Sequence, residues 1–70
     1  MSMKELASYP TAIDANLDKA FLESQGIPTR ILGERVANAD PMLGLALGVK
    51  LLIGENDLER ARQLLKEIRT

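Results

Sequence analysis

The chain contains neither cysteine nor histidine among its 70 residues. The first absence excludes a disulfide framework and thiolate chemistry. The second removes the usual transition-metal ligand and the side chain that moves protons near neutral pH. A hydroxyl such as that of Ser8, Ser24 or Tyr9 therefore has no imidazole to activate it as a nucleophile. A block of charge of one sign is missing too: nine basic and ten acidic residues are interspersed and leave a formal net charge of -1. That pattern carries no nucleic-acid footprint and no acidic tail. No glycine-rich phosphate fingerprint joins a strand to a helix, and the two acids Glu34 and Asp40 are a weak cation signal. No catalytic residue, metal or cofactor is expected, and the chain reads as a non-enzyme.

Long apolar runs are scarce as well. The single one, residues 45–53, is too short to span a bilayer and contains Lys50. Residues 1–6 include Lys4 and Glu5 and no apolar leader, so a cytoplasmic protein without membrane or nucleic-acid partners is expected. The whole of 1–70 is one domain. At this size only ~60% of the unfolded chain's surface is buried, so stability has to come from packing, helped by self-association.

The apolar run organises the rest. Read as a strand over 45–53, it places Leu45, Leu47, Val49, Leu51 and Ile53 on one face and Ala46, Gly48, Lys50 and Leu52 on the other. One face is built for a core, while the other is thin and partly charged. An earlier strand is expected at 3–9, with Leu6 and Ser8 on one face and Ala7 and Tyr9 on the other. Thr11 is the natural N-cap of a helix over 12–25, with Asp14 favourably placed in its first turn. Ile13, Leu17, Ala20 and Phe21 recur at helical spacing and form the expected buried stripe, with Asp14, Asp18, Lys19 and Glu23 outside. Gly26 and Pro28 end that helix.

Residues 27–33 read as a strand with Ile27, Thr29 and Ile31 inward and Arg30 and Leu32 outward. Pro28 lacks an N–H, which assigns this strand to a sheet edge or the proline to its first residue. Residues 34–44, with Glu34, Arg35, Asn38 and Asp40, read as a long loop and a candidate binding segment. After Gly54 or Asn56 as cap, a last helix buries Leu58, Ala61, Leu64, Leu65 and Ile68. The order is β-α-β-β-α, an α+β fold. A split β-α-β unit with the third strand antiparallel between the first two gives a three-stranded sheet of order 1-3-2, with two helices on one face. Arg30, Leu32, Lys50 and Leu52 then share the open face.

Three blocks carry a family resemblance: Ala15 and Leu17 leading into residues 21–27, Gly48 to Leu51 with Ile53, and Asp57 to Ala61 with Leu64 and Leu65. In these the chain resembles small prokaryotic domains of unknown function labelled putative signal-transducing proteins and described as similar to the nitrogen-regulatory PII fold. The resemblance implies a ferredoxin-like or PII-like half sheet, with the 34–44 segment where PII proteins carry their partner-binding loop.

Two readings of function follow. The first is a regulatory or protein-interaction module that uses the open face, either for a protein partner or for homo-oligomers through that face or an edge. The second is a sensor of an anionic metabolite or nucleotide built from Arg30, Lys50 and the 34–44 segment. The candidate binding residues are Arg30, Leu32, Glu34, Arg35, Asn38, Asp40, Lys50 and Leu52.

Overall fold

A computed structural model describes residues 2–68, with side chains throughout except at positions 37, 41, 44 and 45. Strand β1 (Met3–Tyr9), helix α1 (Ala12–Ser24) and strand β2 (Thr29–Leu32) come first. Two short helices follow, α2 (Glu34–Ala39) and α3 (Pro41–Leu47), and then strand β3 (Val49–Gly54). A 3-10 turn over Glu55–Asp57 leads into helix α4 (Leu58–Ile68). The three strands form one sheet in the order β1-β3-β2, with β3 antiparallel to both neighbours. The α+β class and strand order are those expected from the alternation of apolar residues.

Strand β3 is the axis of the core. Val49, Leu51 and Ile53 are fully buried, while Lys50 and Leu52 between them, and Gly54 after them, are half-buried. Against the buried row pack Ala15 and Leu22 of α1, Ala61 and Leu65 of α4, Tyr9 and Ile27, with Leu58 and Leu64 partly buried beside them. Burying a leucine or isoleucine side chain contributes ~1.5–3 kcal/mol, so this single cluster carries most of the fold's stability. Pro28 lies just before the edge strand β2, where a missing N–H costs the ladder nothing.

The segment between β2 and β3 departs from expectation. Residues 34–44 are not a loop, and Leu45 and Leu47 are not strand residues; they belong to α3. Met42, Leu43, Ala46 and Leu47 are helix formers without branching at Cβ, and after them the first β-branched residue is Val49. Asp40 caps the turn through Oδ1, which accepts from the Leu43 amide at 3.3 Å, and Pro41 occupies the first helical position, where its missing N–H is harmless. Gly48, at φ +78°, separates helix from strand. Leu47 is consequently exposed rather than part of the core.

Helix α1 begins where expected, with Thr11 Oγ1 accepting from the Asp14 amide at 3.3 Å, but it is turned to nearly the opposite side. Its buried residues are Ala15, Asp18 and Leu22, whereas Ile13 and Leu17 are 74% and 65% exposed; of the expected stripe Phe21 alone packs, partly buried, against the core. Ala15 lets the helix lie close to the sheet, and the Tyr9 hydroxyl donates to Oδ2 of Asp18. A buried carboxylate held by a hydrogen bond thus takes the place expected for an apolar side chain. In β1 the register shifts between Glu5 and Ala7, a bulge that packs Leu6 as well as Ala7 against the core. Leu6 therefore does not share a face with Ser8.

Candidate functional site

The site is built from the register of the sheet. Antiparallel partners point to the same face, so residues opposite the half-buried positions of β3 lie together on the side away from the core. Glu5 of β1 and Arg30 of β2 both pair with Leu52; Ser8 and Leu32 both pair with Lys50. Met3 stands opposite Gly54 at one end. Read from β1 across to β2, one row is Glu5, Leu52, Arg30 and the next is Ser8, Lys50, Leu32.

Helices α1 and α4 send their buried residues into the cluster on the other side of the sheet. The outer face stays open: Leu32 is 55% exposed, and Arg30, Glu5 and Ser8 are exposed. Lys50 Nζ lies 3.4 Å from Glu5 Oε1. Among the described residues Arg30 makes no ion pair. Lys50 and Arg30 occupy diagonal positions rather than facing each other across the strands. The face therefore offers a guanidinium able to form a bidentate contact, a neutralised ammonium–carboxylate pair, a hydroxyl and two leucines. Bond-making chemistry would need an activated nucleophile beside a base.

The remaining sequence candidates lie elsewhere. Glu34 opens α2, where its Oε2 accepts from Asn16 Nδ2 at 2.6 Å; the same amide donates to the Ala12 carbonyl at 2.9 Å. Asn38 lines a shallow groove with Ala12, Ile13, Asn16, Leu17 and Glu34 between α1 and α2. Arg35 is exposed, and Asp40 is engaged as the α3 cap. Because α2 docks on α1, this group belongs to the helical layer and not to the open face. The structure thus gathers Arg30, Leu32, Lys50 and Leu52 in one place and Glu34 and Asn38 in another.

Sequence reasoning overlooked Glu5 and Ser8 on the face, and no residue type in β1 advertises the bulge that puts them there. It also overlooked Ile13 and Leu17 on the groove, although the pairing of small Ala15 with Leu22 was a signal for the other helix face. Among the described residues no group of three or more metal-ligating side chains comes together, and no helix is long and apolar enough to cross a membrane.

No curated protein and no solved structure matches the chain. A family-level match does exist, and it takes in both the sheet and the helices: residues 3–69 match the family described as "Putative prokaryotic signal transducing protein", and the chain belongs to that family.

Proposed function

We propose that the domain is a non-enzymatic, cytoplasmic protein-interaction module serving signal transduction, and that its recognition surface is the open sheet face. The observation that supports this reading is an uncovered face on which the exposed Leu32 and half-buried Leu52 flank the unpaired cation Arg30. Apolar side chains next to a guanidinium are what protein interfaces favour at their centre. The family description points the same way.

The sensor of an anionic metabolite or nucleotide is the second reading, and Arg30 is its support. The geometry supports it less, because Lys50 is already engaged by Glu5 at 3.4 Å and α2 docks on α1.

Two experiments with the purified chain separate the readings. In affinity capture from a prokaryotic lysate, the module reading expects specific bound protein that Leu52→Lys abolishes. In a thermal-unfolding screen against nucleotides and acidic metabolites, it expects no shift. A ligand at 100 times its Kd would add ~2.7 kcal/mol. A shift of that size that disappears in Arg30→Ala, together with capture indifferent to Leu52→Lys, would replace the module with the sensor.

A further inference from the structure

Resting on the reading of the open face as the interaction surface, we infer that its partner is a second copy of the chain, stacked face to face about a two-fold axis parallel to β3. Two such sheets can otherwise join only edge to edge, and both edges are guarded. Strand β2 offers 4 residues, preceded by Pro28 and followed by Gly33 at φ +92°. Strand β1 is interrupted by its bulge between Glu5 and Ala7. Short edge strands, prolines and bulges are the features that keep an edge from pairing with another chain. The face carries no comparable protection at Leu32 and Leu52.

Charge selects the axis. The row Glu5, Leu52, Arg30 runs acid, leucine, base from β1 to β2. Rotation about an axis along β3 turns the sheet over and exchanges its edges, so β1 of each copy lies over β2 of the other. Glu5 of each copy then faces Arg30 of its partner, and the two Leu52 side chains meet on the axis. Ser8 faces Leu32 in the neighbouring row. The two Lys50 side chains also approach each other along the axis, where the Glu5 that each already contacts at 3.4 Å offsets their repulsion.

The alternative axis, perpendicular to the strands, fails on the same residues. Passing through that row it sets Glu5 on Glu5 and Arg30 on Arg30; passing between the rows it sets Lys50 on Leu52 and Arg30 on Leu32. The first arrangement sets like charges against each other, and the second places Arg30 on a leucine with no acid opposite it.

Three strands of this length, at ordinary strand spacing and rise, make a face of roughly 15 by 20 Å. That is smaller than the ~800 Å² per partner of a standard stable interface. The dimer is therefore weak and concentration-dependent, of the transient kind.

The test is sedimentation velocity over a wide concentration range for the wild-type chain, Arg30→Glu, Glu5→Arg, and an equimolar mixture of the two variants. Arg30→Glu alone sets acid against acid at both contacts, and Glu5→Arg alone sets base against base. The mixture restores opposite charges at both. Expected are a concentration-dependent wild-type dimer, at least tenfold weaker association of each variant alone, and recovery on mixing that fades with added salt. A wild-type chain that stays monomeric, variants that associate like wild type, or a mixture that does not recover would each overturn the inference.

Should Glu5→Arg fail to fold, the absence of cysteine provides a second measurement. Facing sheets can be bridged by a disulfide, as in immunoglobulin domains. Leu52→Cys, on the axis, should cross-link to itself under mild oxidation much faster than Leu32→Cys; equal rates would overturn the axis. A monomeric wild type that still captures a protein through Leu52 removes the self-pairing and leaves the interaction face standing. Loss of both removes both.

Discussion

The hydroxyl of Tyr9, the last residue of β1, donates a hydrogen bond to the buried carboxylate of Asp18 in the middle of α1. This contact ties the buried side of α1 to the end of β1. Tyr9→Phe removes the donor and leaves the ring in place, so the buried acceptor loses this partner at a cost of about 1–3 kcal/mol. Urea unfolding of Tyr9→Phe, Asp18→Ala and the double variant should show a double-mutant coupling above ~0.5 kcal/mol. Simple additivity would show that the contact does not tie the helix to the strand.

The orientation of α1 has a second consequence. Leu22 is fully buried and Leu17 largely exposed, although both look equally apolar in sequence. Leu22→Ala should cost about 2–5 kcal/mol by denaturant unfolding. Leu17→Ala should stay within ~0.5 kcal/mol of the parent, as surface changes do. The reverse order would mean that the helix presents its other side.

Glycines at positive φ differ in their surroundings. A Cβ on Gly26 (φ +83°) meets nothing within 4 Å, whereas one on Gly48 (φ +78°) would lie 2.7 Å from Ser8 Oγ. Gly26→Ala should therefore cost only the left-handed backbone penalty of ~1–2 kcal/mol. Gly48→Ala should cost measurably more, and the excess should largely vanish in a Ser8→Ala background. Thermal unfolding of the four variants checks this.

Helix α2 is tied to α1 by the Asn16–Glu34 hydrogen bond, 2.6 Å long and solvent-exposed. Glu34→Ala should change global stability by less than ~1 kcal/mol. Amide hydrogen exchange should nevertheless rise within 34–47 and remain unchanged in β3, because local opening draws on local contacts. Exchange rising equally in both would show that the segment and the sheet open as one unit.

What was legible in the sequence was whatever has a short-range cause. Val49, Leu51 and Ile53 alternating with Lys50 and Leu52 define a strand with one buried face, and that alternation also assigns Lys50, Leu52, Arg30 and Leu32 to the other. Thr11 as cap follows from local hydrogen bonding. Three features were hidden. A continuous apolar run does not distinguish strand from buried helix, so apolar pattern alone extends β3 back over residues 45–47, which in fact finish α3. The buried side of α1 carries Asp18, which accepts a hydrogen bond from Tyr9 nine residues away, and apolar periodicity cannot register such a polar contact. The bulge in β1, which delivers Glu5 and Ser8 to the face, is a property of pairing and not of any residue in that strand.

Gly33 and Gly48, both at positive φ, bring the two ends of the 34–47 segment side by side: a Cβ on Gly33 would sit 3.0 Å from the Gly48 carbonyl. The span across which this segment must reach is thus almost nil, and its length is decoupled from the spacing of β2 and β3. Since doubling a flexible closure adds only ~0.6 kcal/mol, the pair of glycines forms a natural graft point. Sequences of quite different size can be exchanged there while the sheet beneath keeps its register.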